Sequence, residues 1–209
     1  MTGFVTDLAT RPLGSKGRQT RQAIEEAARQ LFAQRGFHGT TLADITAAAG
    51  KSTASFYRYF TDKEDLLAAL AESFLDEVVH LPEPADGKDF FDSAVRAYWT
   101  MFKRRIGIMV AVDQLAATQP RFAAVQDEFR RFGMTIVGAS VRRAQQQGYG
   151  REVDADHVAL AIALLFEQFT AVCLRSDTTG LGVSLTDDDA VAILSTIWRK
   201  TLYGNPKET

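Results

Sequence analysis

The segment KSTASFYRYFTDK, residues 51–63, concentrates hydrogen-bonding and cationic groups in a short span. Hydroxyls sit on Ser52, Thr53, Ser55 and Tyr57, a guanidinium on Arg58, and ammonium groups on Lys51 and Lys63. None of these is arranged for bond-making. Short hydroxyls donate or accept at base edges, and the methyls of Thr53 and Ala54 can meet a thymine methyl. Cations at this density neutralise phosphates. Small side chains at 53–55 let a helix backbone lie close to whatever it reads.

Other chemistry finds little support. The histidines are His38, His80 and His157. None has a carboxylate or cysteine at a catalytic or metal-binding spacing. Cys173 is the single cysteine, so no intrachain disulfide and no cysteine-rich metal site can form. It lies in an apolar stretch and reads as a small buried hydrophobe. No Gly-rich phosphate loop is present. The reading is of a protein that is not an enzyme and needs neither metal nor cofactor.

The elements that must position the 51–63 segment follow from periodicity. Ile24, Ala27, Ala28, Leu31 and Phe32 recur at helical spacing and predict a helix over 18–34, ended by Gly36. Thr41 with Asp44 forms a capping-box pattern opening a second short helix, closed by Gly50. Ser52 caps a third, expected to run to about Tyr59. Thr61 with Glu64 is read as the capping box of a fourth. Two short helices joined by a Gly-containing turn make a helix-turn-helix, whose second member enters the major groove. The break LPEPADG at 81–87 separates this unit from further helices predicted at about 89–105, 108–118, 121–147, 156–176 and 187–203.

Charge supports two readings equally. Residues 11–63 carry nine basic and four acidic side chains in a chain of net charge −2. A local basic region suits one DNA-facing end, and equally a solvated basic surface. The longest apolar run, Val158 to Phe166, is too short to cross a bilayer. The lack of disulfides and of a secretory leader fits a cytoplasmic protein.

Residues along 18–75 resemble the TetR family of transcriptional regulators. The match is carried by Ala27, Leu31-Phe32, Gly36-Phe37, Thr40-Thr41, Ile45, Ala48-Ala49-Gly50, Ser52, Phe56-Tyr57, Tyr59-Phe60 and Lys63-Glu64-Leu66-Leu67. LSTIWRKTLYG, residues 194–204, resembles the family's last helix. Lys51 replaces a usually small apolar residue, and Ala54 an often-found glycine. The resemblance implies that Thr41, Ser52, Tyr57 and Lys63 hold phosphates, and that Thr53, Ala54, Ser55 and Arg58 read bases. Lys51 would add a phosphate contact, and Lys16 and Arg18 would touch the neighbouring groove or backbone. Phe56 and Phe60 are read instead as packing residues.

Eight of the chain's 21 aromatic residues lie between 90 and 134. Taken singly, each reads best as core. Taken with the resemblance, the region implies an effector pocket lined by Trp99, Phe102, Met109, Phe129, Phe166 and Phe169, with Gln114 and Gln168 as polar contacts. The last two helices are apolar over more than one face, which requires cover on two sides. The resemblance assigns one side to a second subunit.

The expected protein is therefore all-α, with about nine helices. It has an N-terminal arm at 1–15, a three-helix helix-turn-helix DNA-binding domain at 16–77, and a helical effector-binding and dimerisation domain at 78–209. Its expected partners are double-stranded operator DNA, a small molecule and a second copy. The expected function is a repressor released from a near-palindromic operator by a small apolar or aromatic molecule. The alternative is a helical small-molecule-binding protein without DNA-binding activity.

Overall fold

The computed structural model describes residues 14–79, 90–175 and 181–204. Among these residues the chain is helical, with no strand. The elements are α1 (Ser15–Arg35), α2 (Leu42–Ala48), α3 (Thr53–Phe56), α4 (Lys63–Val79), α5 (Phe90–Ala116), α6 (Pro120–Gln146), α7 (Ala155–Arg175) and α8 (Asp187–Tyr203). Most of the expected arm and the 81–87 break lie outside the described residues.

Two compact units divide at Leu66. The first holds α1, α2 and α3. The predicted face of α1, Ile24 to Phe32, is buried, and Phe37, Ile45, Phe56 and Phe60 complete its core. Helices as short as α2 and α3 cannot persist alone. Here each is capped and packed on α1. Gly50 supplies the positive φ of 62° at the turn between them, which a residue with a Cβ adopts at a cost.

Three local expectations are corrected. The third helix ends at Phe56, and Tyr57–Tyr59 form a turn. The capping pattern at α4 is shifted by one residue: the Asp65 amide donates to Asp62 Oδ1 (2.6 Å), and the Thr61 amide donates to Asp65 Oδ2 (3.0 Å). Asp62 and Asp65, not Thr61 and Glu64, close that end. The separate helices expected at 89–105 and 108–118 are one helix, α5, so eight helices are described rather than about nine. Gly107 lowers helix propensity by about 1 kcal/mol relative to alanine. Burial of Ile108, Ala111, Val112 and Leu115 beyond it offsets that loss.

The second unit is a bundle in which α5, α6, α7 and α8 pack on one another. Its core includes Val95, Trp99, Val141, Ile162, Phe166, Leu194 and Trp198. The Trp198 indole N–H donates to Ser140 Oγ (3.0 Å), satisfying a buried polar pair. Helix α8 opens with the Thr186–Asp189 capping box. The α8 N-terminus is tied to α5: Arg96 pairs with Asp188, and both Lys103 and the Trp99 indole donate to Asp187. These residues line an open groove of about 460 Å³ between α5 and α8.

Helix α7 has the length and apolarity to cross a bilayer, with a mean hydropathy of 1.8, beyond the nine-residue run weighed from sequence. Its inner stripe is packed in the bundle, and Glu167 is ion-paired to Arg130 on α6. Leu160, Leu164 and Leu165 on α7, with Ile193 and Ile197 on α8, remain 36–40% exposed.

Candidate nucleic-acid interface

The interface is built from the α2–turn–α3 pair. The Thr41 hydroxyl accepts from the Asp44 amide (3.1 Å) and donates to Asp44 Oδ2 (2.6 Å), while the Thr41 amide donates to the same carboxylate (2.9 Å). These bonds hold the Asp44 carboxyl below its ordinary value, the hydroxyl contributing most. They also use the only proton of the Thr41 hydroxyl. A phosphate approaching here meets the open amides of the first turn beside a carboxylate, partly offset by Arg35 at 3.7 Å. At α3, Ser52 Oγ accepts from the Ser55 amide (3.2 Å), and the two hydroxyls share a hydrogen bond (3.0 Å). One hydroxyl proton of that pair is left over.

The expected DNA-facing residues all lie in the first unit. Lys16, Arg18, Thr41, Lys51, Ser52, Thr53, Ala54, Tyr57 and Arg58 are exposed, and Ser55 and Lys63 are half-buried. Tyr57 is 60% exposed although apolar in body, whereas Phe56 is fully buried and Phe60 nearly so. This is the division expected if Tyr57 faces outward and the two phenylalanines hold the turn.

Lys63 has a role not legible in the sequence. Its Nζ donates to the carbonyls of Phe37 (2.8 Å) and Thr40 (2.7 Å) and lies 4.2 Å from the Phe37 ring centroid. Two of its three N–H donors are thus committed to the chain entering α2, and one remains.

The basic count of the segment also shrinks on folding. Arg21 and Arg29 pair with Glu25 and Glu26, and Arg35 with Asp44. The side chains of Lys51 and Arg58 have no such partner among the described residues.

A model of bacterial regulatory proteins of the tetR family matches residues 24–70. The chain is 30% identical over 164 residues to the HTH-type transcriptional regulator TtgR of Pseudomonas putida, covering 70% of this chain and 76% of that protein. This protein belongs to the TetR family. It is a helix-turn-helix DNA-binding transcriptional regulator and not an enzyme. A 58-residue stretch is 43% identical to the HTH-type transcriptional repressor AcnR of Corynebacterium glutamicum, covering 28% of this chain and 31% of that one. A transcriptional regulator from Saccharomonospora viridis, solved with choline, superposes at a TM-score of 0.68 with 22% identity, covering 90% of this chain and 97% of that one. At that identity the likeness concerns fold alone. Regulators of this family bind DNA operators and form dimers.

The residues expected to meet an effector fall into two aromatic groups. Trp99 and Phe166 belong to the core around Trp198, with Phe169 packed against it. Phe102 and Phe129 both meet the ring of Phe74. Tyr98, which the sequence reading passed over, joins the groups, with Phe102 at 4.3 Å and Phe166 at 5.4 Å between centroids. Met109 is half-buried, and Gln114 is exposed beside Asp113 rather than inside the bundle. Gln114 sits at an outward position because Ala111, Val112 and Leu115 take the inward ones. Gln168 is exposed as well.

Of the histidines, His38 meets the Phe37 ring edge-to-face, His157 is exposed at the start of α7, and His80 lies outside the described residues. Cys173 is half-buried rather than buried, and burial pushes its thiol up, away from the reactive thiolate.

Proposed function

We propose that this regulator is a homodimeric repressor, released from a near-palindromic operator by a small apolar or aromatic molecule. One observation carries the reading. Lys51, Thr53, Ala54, Tyr57 and Arg58 are exposed at the turn and second helix of a helix-turn-helix whose own caps are satisfied internally. Lys51 and Arg58 have no ion pair among the described residues, Tyr57 touches the fold through the edge of the Phe56 ring, and together these side chains supply phosphate neutralisation and base-edge contact.

In this reading Thr53, Ala54, Ser55 and Arg58 face base edges. Lys16, Arg18, Lys51, Ser52, Tyr57 and the amides behind Thr41 face the backbone, with the remaining N–H of Lys63. The effector-contacting set is Trp99, Phe102, Met109, Phe129, Phe166 and Phe169. The DNA-binding domain spans 16–77, the effector and dimerisation domain 78–209, and the protein works in the cytoplasm.

The open apolar faces of α7 and α8 suit a two-fold interface, which sets two reading heads one helical turn of DNA, or a multiple, apart. An effector that binds better to a different head separation shifts the population away from DNA.

Gel shifts against fragments selected from random DNA test the reading. Lys51→Ala weakens binding evenly across sequences and lowers the salt slope by about 1. Ser55→Ala changes which bases are preferred. Failure to select any sequence above background would reject DNA recognition and leave a helical small-molecule binder.

A further inference from the structure

The connection from α1 to α2 is held at several points. Phe37 is 2% exposed and Thr40 is 0% exposed. The Thr40 hydroxyl donates to the Gly36 carbonyl (2.8 Å), and Lys63 Nζ donates to the carbonyls of Phe37 and Thr40. Gly39 passes so close to the end of α1 that a Cβ there would stand 2.4 Å from the Arg35 carbonyl oxygen. No larger residue fits without a backbone shift. Between its two buried anchors, this connection leaves one side chain outside, that of His38.

The fold makes little use of that side chain. Its ring meets Phe37 edge-to-face, 5.4 Å between centroids at 83°. Its nitrogens make no hydrogen bond or ion pair among the described residues. Lys63 Nζ lies 4.2 Å from the centroid of the same Phe37 ring and keeps one N–H uncommitted. An imidazole and an ammonium thus flank one ring, three residues or fewer ahead of the exposed Thr41 that opens the helix-turn-helix. A phosphate accepts from both kinds of donor, and more strongly from a charged one.

The imidazole differs from the other cations because its ordinary titration falls between pH 5 and 8. The charged groups of the surrounding elements are Arg35 of α1, Asp44 of α2, and Asp62, Lys63, Glu64 and Asp65 at the start of α4. Arg35 and Asp44 face one another at 3.7 Å, and Asp62 and Asp65 accept from backbone amides at the start of α4. Carboxylates, ammonium and guanidinium groups ordinarily titrate outside pH 6–8. The bonds from Thr41 move Asp44 further from that window.

We infer that His38 contacts a DNA phosphate through its protonated imidazole, so that DNA binding takes up a proton at each reading head and tightens as pH falls. This rests on the DNA-binding reading above and adds to it a contact residue and a pH dependence.

The test uses the full chain and a duplex it has selected from random DNA, with affinity read by fluorescence anisotropy at pH 6.0 and 8.0 over a range of salt. Wild-type affinity rises about 3–6-fold per head from pH 8.0 to 6.0, and so about 10–30-fold for a dimer that seats two heads. The salt slope steepens over the same interval by up to about 1 per head. His38→Gln removes both changes, leaving the two affinities within about 2-fold of each other. His38→Arg carries a fixed charge: it binds at pH 8.0 more tightly than His38→Gln and is equally insensitive to pH. A pH dependence that survives His38→Gln, or a His38→Arg that binds no more tightly than His38→Gln, overturns the proposal. Wild-type affinity that is the same at both pH values overturns this proposal alone. Failure to select any duplex overturns the DNA-binding reading with it.

Discussion

Replacing Lys63 by methionine separates a structural role from a DNA-binding one. The side chain keeps its stem and loses its charge. Two hydrogen bonds from a charged donor disappear, to Phe37 O and Thr40 O, along with the ammonium 4.2 Å from the Phe37 ring. Charged hydrogen bonds contribute about 1.5–3 kcal/mol each, and a partly exposed cation–π contact about 0.5–1 kcal/mol. Lys63 is half-buried, so the low end of each range applies and the net loss is roughly 3–4 kcal/mol. Thr40 immediately precedes the cap of α2, so the loss falls on the start of the helix-turn-helix. With an m-value of about 1–3 kcal/mol/M, the urea midpoint of the first unit drops by about 1 M or more. Hydrogen exchange at the α2 amides, measured without DNA, accelerates in step. If the remaining N–H meets a phosphate, the salt slope also falls by about 1. An unchanged urea midpoint and unchanged α2 exchange would refute the strut, whatever happened to DNA affinity.

Three further outcomes follow from other parts of the molecule. Leu164→Glu combined with Ile197→Glu places charges on the open faces of α7 and α8. Sedimentation equilibrium should show a dimer weakened about 100-fold, equivalent to about 3 kcal/mol, with little change in Tm; an intact dimer rejects that interface. Thr186→Ala removes the α8 cap and costs about 1 kcal/mol, read as a Tm about 2–4 °C lower; an unchanged Tm contradicts the capping box. Asp44, Asp154, Asp187 and Asp189 are all held below the ordinary carboxylate value, chiefly by the Thr41 hydroxyl, the His157 amide, Lys103 and the Thr186 hydroxyl respectively. A depressed carboxyl stabilises the fold above its unfolded value and loses that contribution as pH falls through its folded one. The urea midpoint should therefore stay flat from pH 7 to 5 and drop below about pH 4; a midpoint that rises there would contradict the assignment.

What was legible in the sequence is what is local. The buried face of α1, the Thr41 end, Ser52 as a cap and Gly50 at the turn are each set by residues close to one another in the chain. The misread elements are contests between neighbouring local signals. Thr61–Glu64 and Asp62–Asp65 offer the same pattern one residue apart, and the aspartates win. Gly107 reads as a break until the packing on either side of it is known. The contacts that give the sites their chemistry join distant positions: Lys63 reaches back to Phe37 and Thr40, Arg130 pairs with Glu167, and Tyr98 faces Thr170. No spacing rule encodes them. The one available hint was polarity out of place, since Glu167, Gln168 and Thr170 interrupt an otherwise apolar stretch.

The charge pattern gains meaning from the same distinction. A count of basic residues from 11 to 63 cannot tell a DNA-facing surface from a solvated one. Folding divides the cations by task. Arg21, Arg29 and Arg35 are matched by acids in the first unit, and Lys63 by backbone carbonyls. Among the described residues Lys51 and Arg58 have no acidic partner, and they stand on either side of the small residues Thr53, Ala54 and Ser55. An evenly basic surface would bind any phosphate backbone, and with that affinity would lose discrimination between sites. Placing Lys51 and Arg58 on either side of the second helix ties phosphate neutralisation there to one docking geometry. In that proposed geometry Thr53, Ala54 and Ser55 are the residues set to read bases.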